Sequence, residues 1–155
     1  MNERVVDDND ARFMRIAIDE ARAAALAGEV AVGAVFALGG TEIARSGNRT
    51  LADNDPTAHA EVIVLRRAAA ITGNHRLTGG TLYVTIEPCA MCAGAIIQAR
   101  LARLVYGADD PKGCAVRSCF RLLDSPQLNH RVEMTPGILD EECASVLQSF
   151  FAARR

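Results

Sequence analysis

The sequence predicts a single α/β domain with helices packed on both faces of one sheet. Three observations lead there. Short, nearly continuous apolar runs alternate with segments of helical periodicity, glycine pairs punctuate them, and half of the residues are apolar, enough for a buried core without disulfide staples. At 155 residues the chain has room for one ordinary domain, and no internal repeat, low-complexity tract or linker divides it.

Residues 1–10 are polar and acidic and are expected to be a disordered tail, leaving 11–155 as the domain. From Ala11 to Ala27 apolar residues recur at helical spacing (Phe13, Ile16, Ala17, Ala24), with Gly28 as a stop. Val30 to Leu38 is almost continuously apolar, as a strand buried on both faces would be. Gly39-Gly40 fits a tight hairpin into a second strand, Thr41 to Ser46. A polar loop, Gly47 to Asp55, leads through Pro56 to a helix from Thr57 to about Ala70, with Asp55 or Thr57 as its cap and Gly73 closing it. Gly79-Gly80 introduces a strand at Thr81 to Ile86, and Pro88 starts a helix running to about Ala99. A strand at Leu101 to Tyr106, a loop at Asp109 to Gly113, a short helix at Arg117 to Leu123, a weak strand near Val132 and a helix from Leu139 to Ala152 complete the chain.

The formal net charge of −2 excludes a broad electrostatic nucleic-acid footprint while leaving room for a small local one. The N-terminus lacks the basic-then-apolar pattern of an export signal, no apolar run is long enough to span a bilayer, and the five cysteines are an odd number. A cytoplasmic protein with reduced thiols is expected, so paired cysteines are weighed as metal ligands before disulfides.

The chemistry concentrates in His59-Ala60-Glu61 at one helix start and Pro88-Cys89-Ala90-Met91-Cys92 at another. Together they match the His-x-Glu and Pro-Cys-x-x-Cys signature of zinc deaminases. Cys89 and Cys92 share a helix face, where unpaired backbone N–H groups favour thiolate over thiol. With His59 they make three ligands for one Zn2+ per chain, leaving a fourth position for water. Glu61 is placed to handle protons without entering the metal's coordination. The alternative is a closed site with Cys114, Cys119 or Cys143 as fourth ligand; Cys114 lies in a loop that could reach, while Cys119 and Cys143 read better as small buried residues. Asn48, in the loop before His59, is either a turn residue or an amide that reads a base edge.

Over most of its length, from about Phe13 to Phe151, the sequence resembles the bacterial tRNA-specific adenosine deaminases of the cytidine deaminase superfamily. The resemblance lies in Val32-Gly33-Ala34-Val35, Asp55-Pro56-Thr57-Ala58-His59-Ala60-Glu61, Thr81-Leu82-Tyr83-Val84-Thr85, Glu87-Pro88-Cys89-Ala90-Met91-Cys92-Ala93-Gly94-Ala95, Asn129-His130-Arg131 and Gly137-Ile138-Leu139. It departs at Ala31, where proline is usual, at Cys114 to Ser118, usually small and glycine-rich, and in a short basic C-terminus. The resemblance implies a cytidine-deaminase-like three-layer α/β/α sandwich on one mixed sheet. It also implies zinc on His59, Cys89 and Cys92, Glu61 as proton shuttle, Asn48 on the extruded base, and hydrolysis of the wobble adenosine of a tRNA anticodon stem-loop to inosine. A homodimer is expected from the same resemblance and from the apolar helix after Pro88. Arg49, Lys112, Arg117, Arg154 and Arg155 are the candidate phosphate contacts. The competing readings are a free-base enzyme such as a guanine deaminase with the same metal site, and a non-catalytic zinc module that binds RNA or a partner.

Overall fold

Strand β1 (Gly33–Leu38) accounts for the continuous apolar run, because it lies between two layers. Ala34 and Phe36 face one core while Val35 and Ala37 face the other, the alternation that a pleated strand imposes. In the computed structural model, which describes residues 8–112 and 114–154, β1 belongs to a five-stranded sheet of order β2-β1-β3-β4-β5. The other strands are β2 (Thr41–Gly47), β3 (Thr81–Ile86), β4 (Arg103–Ala108) and β5 (Glu133–Thr135). β1 runs antiparallel to β2 and β3, whereas β3, β4 and β5 are parallel. The sheet is mixed, as expected.

Helices α1 (Asp8–Leu26) and α4 (Asp140–Ala152) cover one face; α2 (Ala60–Thr72) and α3 (Ala90–Gln98) cover the other. The first layer packs Phe13, Met14, Ala17, Ile18 and Cys143 against Val35, Tyr83 and Val105. The second packs Val64, Ala68, Ala93 and Ile96 against Phe36, Leu82, Leu104 and Tyr106. Close approach of α1 to β1 depends on Gly33, where a Cβ would sit 1.9 Å from the Ala17 carbonyl oxygen. Gly39 and Gly40, at φ 59° and 76°, make the hairpin that two left-handed residues allow. No helix among the described residues is long and apolar enough to cross a membrane.

Four expectations need correction. α1 begins at Asp8, inside the stretch expected to be disordered; residues 1–7 lie outside the described residues. The helix is extended by Asp10, a buried carboxylate that accepts two hydrogen bonds from the Arg103 guanidinium (2.8 and 2.6 Å) and one from the Tyr83 hydroxyl (3.0 Å). The helix expected at Arg117 to Leu123 does not form: the N–H groups of Phe120 and Leu122 reach back to the Cys114 and Ala115 carbonyl oxygens instead of making helical bonds, and the Glu87 carboxylate holds the N–H groups of Val116, Arg117 and Ser118. α2 starts three residues late: His59 is its N-cap, while Asp55 binds the N–H and hydroxyl of Thr57 in the preceding loop. Pro88 does not open α3 either, since Cys89 occupies the N-cap and Ala90 is the first helical residue.

Candidate active site

The parallel strands β3 and β4 end on the same edge of the sheet, where sites of open α/β folds form. Because β1 is antiparallel to β3, Val30 and Val32 enter at that edge too, and both line a cavity of about 300 Å³ there. The starts of α2 and α3 meet over it. His59 and Cys89 both cap their helices in extended conformation, with no side-chain bond to the helix backbone. Their side chains are therefore free to turn toward each other.

The His59 Nδ1 lies 3.6 Å from Cys89 Sγ and 3.4 Å from Cys92 Sγ, and the three ligand atoms all fall within 4.8 Å of one another. Tetrahedral zinc, with bonds of about 2.3 Å to sulfur and 2.0–2.1 Å to nitrogen, needs sulfur and nitrogen roughly 3.5 Å apart. The cluster fits such an ion. Hydrogen bonds from the Cys92 thiol and the His59 ring pull Cys89 down to about 4, while the same contact and burial push Cys92 up. Zinc takes both sulfurs as thiolates, so a bound cation would displace the proton that burial favours on Cys92. The hydrogen bond to Cys89 raises His59.

Cys114 does not join them. It pairs through its backbone with Cys89 and lines the cavity, yet among the described residues only His59, Cys89 and Cys92 form a metal-binding group. Cys143 is buried as expected, but Cys119 is exposed, its thiol donating to the Pro111 carbonyl oxygen at 3.3 Å.

Glu61 lines the cavity although its side chain is almost wholly buried. Burial raises its carboxyl above the ordinary range, the direction a group that both accepts and donates protons requires. Asn48 lines the same cavity and is 7% exposed. Sequence reasoning missed Thr50, Glu87, Leu147 and Phe151, which complete the wall. The two apolar ones come from α4, and only its helical periodicity was visible. Ile86, Asp110, Leu147 and Phe151 also border an adjoining groove that continues to Lys112, Gln148 and Arg154.

This chain matches the model of the MafB19-like deaminases over residues 8–155. It is 50% identical to the tRNA-specific adenosine deaminase of Agrobacterium fabrum over 92% of this chain and 94% of that protein. Identity is 46% to the Haemophilus influenzae enzyme of the same description, over 98% and 88%. A solved structure from a study of A-to-I editing by tRNA:A34 deaminases at the wobble position of transfer RNA superposes with a TM-score of 0.85 at 51% identity, covering 88% of this chain and 99% of that one. The chain belongs to the tRNA-specific adenosine deaminase family. A guanine deaminase from Nitrosomonas europaea is also similar in structure, with a TM-score of 0.76 at 25% identity over 92% and 84% of the two chains.

The basic residues expected around this deaminase site fall into two groups. The guanidinium of Arg117 is bidentate on Asp109 (2.9 and 2.7 Å) and that of Arg49 is gripped by Asp53 at 3.0–3.2 Å. Lys112 and Arg154 instead border the groove, Arg154 stacking on the Phe150 ring at 3.6 Å. Arg155 lies outside the described residues. The His130 ring of the Asn129-His130-Arg131 block bonds the Leu101 carbonyl oxygen at 2.6 Å and ties down the loop before β5.

Proposed function

We propose that this chain hydrolyses the wobble adenosine of a tRNA anticodon to inosine, releasing ammonia, with one Zn2+ held by His59, Cys89 and Cys92. The carrying observation is a three-ligand N/S cluster with a buried carboxylate beside it in one cavity, in a chain half identical to a named tRNA-specific adenosine deaminase. Zinc, when bound there, supplies Lewis acidity that lets water ionise near neutral pH.

The reaction adds water at C6 of the purine and expels the 6-amine. Protons must leave the water and reach N1 and the departing nitrogen. Glu61 serves these transfers: it accepts a proton from the water oxygen and delivers protons to the ring and the amine. Burial raises the carboxyl, which favours its holding and delivering a proton as well as taking one. Asn48 meets the extruded nucleoside across the cavity, and Val30, Val32, Ile86 and Leu147 exclude water around it. A hairpin loop presents unstacked nucleotides, so extrusion costs little. Flanking nucleotides then follow the groove toward Lys112 and Arg154. A tRNA substrate and free thiols together argue for a cytoplasmic enzyme.

A homodimer belongs to the same reading. α3 buries Cys92, Ala93, Ile96 and Ile97 but leaves Ala90, Met91 and Gln98 exposed next to the site, a face that a second copy would cover. Light scattering at micromolar concentration tests it: a fully active monomer removes the dimer.

The deciding experiment is inosine formation in an anticodon stem-loop with adenosine at the wobble position, run beside free guanine, adenine and cytosine. Conversion of the loop alone supports the reading. Deamination of guanine with the loop untouched replaces it by a free-base activity.

A further inference from the structure

The cavity wall at Asn48 is set by a residue behind it. Asn48 Nδ2 carries two protons, and both are committed: one to Glu29 Oε2 at 3.0 Å, the other to Thr50 Oγ1 at 3.2 Å. The Thr50 hydroxyl in turn donates to Glu29 Oε2 at 3.5 Å, so the directions of the three bonds agree. Glu29 is itself buried and gripped by the backbone N–H groups of Leu51 (3.3 Å) and Ala52 (2.8 Å). A carboxylate only accepts. The amide atom facing it must therefore be the NH2, and the choice between the two orientations of the amide is made by chemistry. Among the described residues no protein donor reaches the Asn48 Oδ1, and Asn48 lines the cavity.

We propose that Glu29 is a positioning residue, locking the Asn48 amide with its oxygen available to the cavity so that this wall accepts a hydrogen bond and does not donate one. The inference rests on the reading that Asn48 meets the extruded nucleoside. It narrows that contact to a donor group of a ribonucleoside, its 2′-hydroxyl or exocyclic amine, and excludes the ring nitrogens, which only accept.

Glu29→Gln tests the idea with little change in shape. A glutamine keeps its oxygen at the Oε1 position for the Ala52 N–H, while its NH2 stands at the Oε2 position that the Asn48 amide and the Leu51 N–H now share, and so lets the Asn48 amide turn over. Deamination of the anticodon stem-loop should fall in kcat/KM by roughly ten- to a hundredfold, the scale of one mispaired polar contact in a closed pocket, with metal content unchanged. In Asn48→Ala protein the same change should cost nothing further, since the residue it orients is gone. A second readout needs no substrate: the Asn48 side-chain NH2 resonance in the free protein should move on Glu29→Gln. Additive losses in the double variant, or an unmoved resonance, overturn the proposal. A wild-type enzyme that leaves the stem-loop untouched defeats the substrate reading instead, and the resonance still judges Glu29.

Discussion

Glu87 and Ser118 stand 31 residues apart in sequence, and both the N–H and the hydroxyl of Ser118 donate to the Glu87 carboxylate. The same group accepts from the N–H groups of Asp110, Val116 and Arg117. One buried side chain at the end of β3 thus shapes the loop that carries Cys114 along the cavity. Glu87→Ala should destabilise the protein by about 2–3 kcal/mol, because water reaches Arg117 and Ser118 but not the Val116 N–H. Urea unfolding measures that loss, and trypsin should cut faster after Lys112 and Arg117. Unchanged cleavage would show that the loop stands without Glu87.

This relationship marks where the sequence stopped being legible. Nearly continuous apolar runs and the hairpin glycines made the strands readable, and the metal ligands were readable because their spacing is local to two helix starts. Glu29, Glu87 and Asp10 act through contacts with chain segments far away in sequence, which leave no periodic trace. Asp10 therefore looked like part of an acidic tail. The stretch at Arg117 looked helical because nothing in it revealed that its backbone donors were already taken. Cys119 misled for the same reason, since a thiol's burial depends on which way its loop turns.

Asp10 has its own consequence. Its pairing with Arg103 joins α1 to β4, and Thr135 on β5 accepts from the same guanidinium at 2.9 Å. Arg103 stays about a quarter exposed while Asp10 is nearly sealed, so truncating the acid costs less than in a fully buried pair. Asp10→Ala should lose about 2–3 kcal/mol, seen as a lower melting temperature. Activity measured well below that temperature should be unchanged, because the pair lies away from the cavity. A melting curve identical to wild type would count against this account of α1.

Metal removal should couple stability to activity. The three ligands lie on two helices, and an ion bound by the folded cluster stabilises the native state. Elemental analysis should find one zinc per chain, and a strong chelator should lower the melting temperature and abolish turnover together. Cys89→Ala should behave like the chelated protein. Full activity in metal-depleted Cys89→Ala protein would falsify the zinc assignment.

Glu61→Gln separates binding from chemistry. The amide keeps the shape of the buried side chain but cannot shuttle protons, so metal content and folding should be preserved. Turnover should drop by ~10²–10⁴ or more, since the proposed mechanism has one group serve several transfers. Single-turnover inosine formation under saturating stem-loop gives the number. Turnover within a few fold of wild type removes Glu61 from the mechanism.

The phosphate contacts can be sorted by salt dependence. Arg49 and Arg117 already satisfy carboxylates, so recruiting either to a phosphate means sharing it with an anion. Lys112 and Arg154 border the groove leading from the cavity, and the Arg154 stack on Phe150 holds its charge in place. Each of these two should release counterions on binding, contributing about 0.7–0.9 to the slope of log affinity against log salt. Lys112→Ala and Arg154→Ala should therefore flatten that slope by nearly one each and weaken all loops alike, whereas Arg49→Ala and Arg117→Ala should change it by less than half as much. Arg154→Lys should keep most of the slope, since the charge remains and only the planar stack is lost. Anisotropy titrations of a labelled anticodon stem-loop over a salt series distinguish the two groups. If Arg117→Ala flattens the slope as much as Lys112→Ala, the pairing with Asp109 does not keep Arg117 from a phosphate and this sorting of the basic residues fails.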